Sequence, residues 1–379
     1  MKNIWRNIHL WLGLAAGLIF FTECLSGTLL VFEDEITEAL HASRYQVNQV
    51  SQAIPLDSLA NTVRMKMPKG KISTIKVYSN PYRTVEINVK EKKGKEKGGG
   101  KRGGKGIILF LNPYTAEITG QLNPAAPTFF SFMLDLHQSL LTGKVGKTIL
   151  GISTFVVLII LITGMVLWFP KKRKQLKARL KVKTDGSWKR INHDLHVVLG
   201  FYCSFFILIL LVTSLSWSFK WANTALYTIT GSKPGFPEKV KSLSPQGSVK
   251  TISYQQALEA GRKQFSKAPY WSISMPKQAD EPITITSAST DALHRNGFDN
   301  LSLDQRTGAI LQVSLLKDMP GGWQLRRYMK PVHTGAIGGI PTKLMAFFVS
   351  LISATFPVTG TILWLNRMRK KKKTVQLAK

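Results

Sequence analysis

Four apolar stretches, at residues 10–32, 149–169, 197–219 and 344–365, are each long enough to cross a bilayer. A crossing takes about 20 residues, and in hydrocarbon a backbone must satisfy its own hydrogen bonds, so each stretch predicts a helix. Only the first contains a formal charge, at Glu23. Its apolar run exceeds the core of a signal peptide, about 7–15 residues, and it lacks an A-x-A-like exit, so it reads as a retained anchor.

Spanning segments change the meaning of the charge. The chain carries 52 Lys and Arg against 21 Asp and Glu, a net +31. In a soluble chain that excess would point to nucleic acid. Here it concentrates after the second stretch, in "KKRKQLKARLKVKTDGSWKR", and after the fourth, in "NRMRKKKK". Short basic loops stay in the cytoplasm. Both termini and the 170–195 loop are therefore expected inside, with 33–140 and 220–335 outside. The charge serves topology first and attraction to anionic membrane lipid second, and no nucleic-acid partner is expected. Cys24 and Cys203 fall at different depths of their spans, so no disulfide is expected. Without a Cys-x-x-Cys motif, iron–sulfur clusters and c-type haem attachment drop out.

The chain repeats itself. "HLWLG" from His9 faces "HVVLG" from His196; seventeen residues on, Ser26 faces Thr213, and the offset of 187 holds without a gap. His137 faces His333, Gly143 faces Gly339, Lys147 faces Lys343, and "TGMVLW" (163–168) faces "TGTILW" (359–364), all at an offset of 196. This predicts a tandem duplication of span, outer domain, span. Parallel repeats of that kind are related by an axis along the membrane normal.

The outer segments share one order of elements. A helix-like "PLDSLANTVRMKM" precedes strand-like "STIKVYS", "TVEINVK" and "GIILFLNPYTAEITG". A helix-like "SYQQALEAGRKQF" precedes "YWSISMP", "PITITSA" and "DNLSLDQRTGAILQV". "NPYTAEI" and "DQRTGAI" read as matching hairpin turns. The expected fold is α-helical and membrane-embedded, four transmembrane helices from a tandem two-helix repeat, with two small extracytoplasmic α+β modules. The expected division is 1–33, 34–136 (first module), 137–170, 171–192 (basic loop), 193–219, 220–332 (second module), 333–366 and 367–379. The run "KGKEKGGGKRGGK" in the 93–106 insertion reads as a solvated hairpin tip, with capture of an anionic ligand as the alternative.

Four of the seven histidines fall into matched pairs. His9 and His196 lie at the cytoplasmic ends of spans one and three, and His137 and His333 lie outside, just before spans two and four. A two-fold axis would bring the members of each pair together around one planar cofactor. Imidazole is a good iron ligand, and paired axial His holds b-type haem without covalent attachment. One haem near each face makes two in all. Zinc is an alternative, but pairs supply two ligands where zinc sites use three or four; Asp135 and Asp194 stand nearby. Gly13 and Gly200, one turn from His9 and His196, and Gly143 and Gly339, near His137 and His333, leave room for a flat ring or serve close helix packing. His193, three residues before His196, competes with it; the repeat puts His193 opposite Arg6, which favours His196. His41 and His294 have no repeat partners and read as surface residues. Lys147 and Lys343 are candidate partners for haem propionates, or lysines that snorkel to headgroups. Glu23 is a functional candidate because intramembrane carboxylates are costly.

These segments resemble the PepSY-associated transmembrane family: "RNIHLWLGLAAGLIFFTECLSGTLLVFEDE", "LHQSLLTGKVGKTILG", "HDLHVVLGFY" and "VHTGAIGGIPTKLM" carry the likeness, and "SYQQALEAG…LDQRTGAIL" is similar to a PepSY module. The resemblance implies a bacterial inner-membrane ferric-siderophore reductase with two b-type haems, ligands at His9, His137, His196 and His333, and periplasmic release of Fe(II). Departures are the 93–106 insertion, and Ser26 and Thr213–Ser214 where the family tends to show Thr-Gly. The expected partners are a ferric siderophore or other ferric chelate and a cytoplasmic or quinol electron donor. No catalytic acid–base residue is required. The alternatives are a non-catalytic anchor whose PepSY-like modules bind a partner, and a siderophore or metal transporter.

Overall fold

A computed structural model describes residues 2–50, 52–91, 106–234, 240–242, 251–278, 280–292, 294 and 296–376. The Lys/Gly run at 93–105 lies outside them. The chain divides into two compact units: a helical one, up to Glu33, Thr128–Gly231 and from Tyr328 on, and a sheet-rich one, Asp34–Pro127 and Ser232–Arg327.

The helical unit holds four helices long and apolar enough to cross a membrane: Lys2–Leu30, Lys144–Trp168, Trp188–Ser218 and Ile340–Arg369. Each outruns the apolar stretch that announced it. At 1.5 Å per residue the first is roughly 43 Å long against a hydrocarbon core of about 30 Å, so its first turns carry Lys2 and Arg6 beyond the apolar run. The fourth runs on through the basic tail to Gln376, since lysines are good helix formers. Small residues let the helices approach: a Cβ on Gly17 would stand 3.3 Å from the Pro357 ring. Two shorter helices, Phe129–Ser139 and Gly321–His333, end at or just beyond His137 and His333. The sequence reading did not mark either as a separate element. Thr128 caps the first with a reciprocal bond to Ser131.

The sheet unit corrects the picture of two separate sheets. Strands β1 (Gly70–Tyr78), β2 (Val85–Glu91), β3 (Ile107–Leu111) and β4 (Ile118–Leu122) form one antiparallel meander. Strands β5 (Tyr270–Ser274), β6 (Ile283–Ala288), β7 (Phe298–Leu303) and β8 (Ile310–Ser314) form another. They join edge to edge through β1 and β5 into a single eight-stranded sheet of order β4-β3-β2-β1-β5-β6-β7-β8. The seam runs from Thr74 opposite Ser274 to Tyr78 opposite Tyr270. Joining satisfies two open edges at once. It also makes one core: Ile75, Ile87, Ile273, Ile285, Leu301 and Leu303 are fully buried in one cluster with Leu59 and Ala257 of the helices Leu56–Lys66 and Tyr254–Gln264.

The two hairpin turns are where the sequence put them. Asn112 Oδ1 accepts from the Tyr114 amide and Asp304 Oδ1 from those of Arg306 and Thr307. Each turn needs a left-handed residue, and Gly308 (φ +71°) supplies it in one while Ala116 (φ +62°) does so in the other.

His294 overturns its surface reading. It is 6% exposed, and its Nδ1 accepts the Asn296 amide at 3.0 Å. The loop between β6 and β7 folds back, Ser289 N–H to Gly297 carbonyl, and tucks the ring inside. A lone His in a loop carries no periodicity from which burial could be read. His41 is exposed.

Candidate functional site

The four paired histidines do meet. The rings of His9 and His196 have centroids 6.3 Å apart, and those of His137 and His333 are 6.2 Å apart. Two imidazoles sharing one metal at about 2.0 Å per nitrogen, with ring centres roughly 1.1–1.2 Å further back, have centroids about 6.3 Å apart. Both pairs match that spacing.

All four rings are held in the same way. His9 Nδ1 lies 3.0 Å from the Ile160 carbonyl and 3.1 Å from Thr163 Oγ1. His137 Nδ1 lies 3.0 Å from the Glu23 carbonyl and 3.1 Å from Ser26 Oγ. His196 Nδ1 lies 2.8 Å from Thr359 Oγ1, and His333 Nδ1 2.9 Å from Thr213 Oγ1. A carbonyl can only accept. Each hydroxyl already donates its one hydrogen to its own helix: Thr163 to Ile160, Ser26 to Thr22, Thr359 to Thr355, Thr213 to Ile209. So Nδ1 carries the proton on every ring, and Nε2 keeps the lone pair. That is the tautomer a metal ligand needs, and such outer bonds orient ligating histidines.

The residue after three of these hydroxyls is glycine, for a steric reason. A Cβ on Gly164 would stand 3.0 Å from His9 Cε1, one on Gly360 3.2 Å from His196 Cε1, and one on Gly27 3.2 Å from His137 Cε1. The fourth position is Ser214. There His333 is packed by the Trp217 ring instead, edge-on at 5.1 Å. The hydroxyls were visible in the sequence, as the repeated "TG" of Thr163–Gly164 and Thr359–Gly360 and as Ser26–Gly27 facing Thr213–Ser214, but their service to the histidines was not. The signal was the repeated spacing within each segment, 17 residues from His9 to Ser26 and from His196 to Thr213, and 26 from His137 to Thr163 and from His333 to Thr359.

The third spanning helix is irregular at the site. A π-turn covers Leu195–Leu199 and includes His196, and such turns recur at functional positions. His193, one turn earlier, does not join the pair: its Nδ1 is 3.1 Å from Asp194 Oδ1. Asp194 is buried, takes Arg190 Nε at 2.8 Å and the Lys183 amide at 3.2 Å, and so ties down the basic loop. Among the described residues no group of three or more His, Cys, Asp or Glu could hold a metal ion, which disfavours a zinc centre made of protein ligands alone. Cys24 and Cys203 are free thiols.

A cavity of about 500 Å³ opens around His9 and His196, a volume suited to a cofactor. Its walls are mostly apolar, and Gly13 and Gly200 line it; a Cβ on either would meet nothing within 4 Å. Their missing side chains face open space. Gly143 and Gly339 have a different reason: φ of +63° and +70° at the starts of the second and fourth spanning helices. The two lysines diverge. Lys147 is exposed, whereas Lys343 is 9% exposed with its Nζ 6.0 Å from the Phe32 ring centre.

Tautomer and ring spacing at both pairs, and the cavity at the first, fit a planar metallo-cofactor taking one imidazole on each side. The fold is that of a membrane protein with four candidate spans and a sheet-rich unit. The family model for the PepSY-associated TM region matches residues 6–367, and the chain belongs to that family. No curated protein matches the chain.

Proposed function

We propose that this protein carries electrons across the bacterial inner membrane through two b-type haems, one held by His9 and His196 and the other by His137 and His333. It reduces a ferric siderophore or another ferric chelate on the periplasmic side and releases Fe(II) for uptake. One observation carries the reading: the same holding of Nδ1, with Nε2 left as the lone pair, recurs on four histidines that meet in two pairs.

The membrane orientation follows the basic segments. Both termini and the loop 171–192 are cytoplasmic, and the sheet unit is periplasmic. The two halves are a tandem duplication sharing one orientation, which the gap-free matches at offsets of 187 (His9 to His196) and 196 (His137 to His333) support.

When bound, haem supplies a one-electron redox centre at each pair. The chain's residues bind, orient and insulate it. Thr163 and Thr359 fix the rings of the first pair, and Ser26 and Thr213 those of the second. Apolar walls exclude water. The third spanning helix holds His196 near one end and the Thr213 contact to His333 roughly 25 Å along its axis, at 1.5 Å per residue. The net reaction moves one electron from a cytoplasmic or quinol donor to ferric iron, and no proton need be transferred at that iron.

The visible spectrum of the purified protein, before and after dithionite, tests this. The expected outcome is a sharp α-band near ~560 nm, the mark of low-spin b-type haem with two axial His. A colourless, folded preparation from haem-replete cells overturns it. His333→Ala should then lower the haem content from two to one.

A further inference from the structure

The cavity at His9 and His196 has a second chemical character besides its apolar walls. Arg6, Arg179 and Arg367 line it, and no Asp or Glu does. Arg179 is already engaged, donating to the carbonyls of Leu167 and Trp168 at the end of the second spanning helix. Arg6 and Arg367 are exposed at the cavity's edge.

Trp168 supplies an independent sign of a ligand. It lines the same cavity, is 6% exposed and stacks on Phe201 with centroids 3.8 Å apart. Its indole Nε1–H is buried without a hydrogen-bond partner. Buried donors are rarely left so, because the unmade bond costs more than the made one contributes. An indole N–H can only donate, so what it awaits is an acceptor. A cavity with flat apolar walls, two exposed guanidinium groups and a lone buried donor fits an amphiphile with a flat body and anionic oxygens at one edge. Guanidinium groups suit carboxylates because their fork takes both oxygens.

We propose that Arg6, Arg367 and the indole N–H of Trp168 bind the two carboxylates of the tetrapyrrole seated between His9 and His196. This rests on the haem reading above. It also assigns the first pair a carboxylate partner set separate from Lys147 and Lys343, the lysines that the sequence places near the second.

The full-length protein in detergent tests it by haem transfer to excess apomyoglobin, followed at the Soret band. In the Arg6→Gln/Arg367→Gln double variant, one of the two haems should leave at least tenfold faster and the other at the unchanged rate. The unchanged haem reports that the fold is intact. Trp168→Phe should accelerate the same phase about threefold, and Arg6→Lys/Arg367→Lys, which keeps the charge without the fork, should restore part of the slow rate. Haem-depleted protein should prefer protohaem to its dimethyl ester at the first site, and the double Gln variant should lose that preference. Unchanged transfer, equal binding of acid and ester by the unmodified protein, or failure of the Lys pair to restore a lost haem overturns the assignment. Loss of co-purified anionic lipid from the double Gln variant with unchanged haem transfer also overturns it, since the arginines then serve headgroups. If the unmodified protein holds no haem, the haem reading falls with it; haem present but insensitive to the substitutions removes the carboxylate anchors alone.

Discussion

The Nδ1–H of His196 donates to the hydroxyl of Thr359 at 2.8 Å, from the third spanning helix to the fourth. The hydroxyl hydrogen is committed to the Thr355 carbonyl at 3.0 Å, so this bond has one direction. Thr359→Val keeps the shape and removes the acceptor. Bonds of this kind typically contribute about 10–100-fold to metal affinity. Haem at the first pair should dissociate faster by that range, while Thr359→Ser stays near the unmodified rate. Haem-transfer kinetics on the two variants check it.

Gly360 and Gly13 separate crowding from open space. A Cβ at 360 would press on His196 Cε1 at 3.2 Å, whereas one at 13 meets nothing within 4 Å. Gly360→Ala should displace the ring and cost about 1–3 kcal/mol, the usual range for overpacking. Gly13→Ala should be close to neutral in stability. Gly13→Phe should leave the helices folded and lower the haem content by one. Thermal melts and the haem-to-protein ratio read both effects.

Ala116 and Gly308 hold equivalent turn positions with φ of +62° and +71°. A left-handed conformation costs an L-residue about 1–2 kcal/mol, partly offset by the lower unfolded-state entropy of Ala. Ala116→Gly should stabilise the sheet unit by about 0.5–1 kcal/mol. Gly308→Ala should destabilise it by a similar amount, because Ile252 at 3.4 Å leaves room for the methyl and only the backbone objects. Denaturant melts of the full chain give both signs.

His294 gives the sheet unit a pH dependence. Burial, and then the charge of Arg327, lower its pKa from the usual 6.5. The unfolded chain therefore takes up a proton at this position below about pH 6.5 when the folded chain does not, and stability falls as the pH drops through that value. Above it the contribution is flat. His294→Asn should reduce the loss of stability between about pH 6.5 and 5. A Tm series across that range, with an unchanged slope in the variant, would count against this role.

The helices and the site were legible to different degrees. Spanning length and apolarity are properties of a continuous segment, so the four spans stand in the sequence, short only of their polar ends. The offsets of 187 and 196 named the four histidines for a similar reason: repetition shows in one dimension. The choice of His196 over His193 rested on that register alone, and only the folded chain explains it, by the π-turn and by the engagement of His193 with Asp194.

By itself the sequence determined which residues could form the two pairs, because chain register is enough to match His9 with His196 and His137 with His333. Tertiary structure decided what depends on contacts between distant segments. The hydroxyl under each ring comes from another helix, Thr163 for His9 and Thr213 for His333, and no local pattern binds residues so far apart. The merging of the two meanders across Thr74 and Ser274 was decided there too, since an edge strand's free hydrogen bonds specify that it be covered but not by what. So were the burial of His294 and the lone donor of Trp168, which follow from how a loop and a helix end pack rather than from their composition.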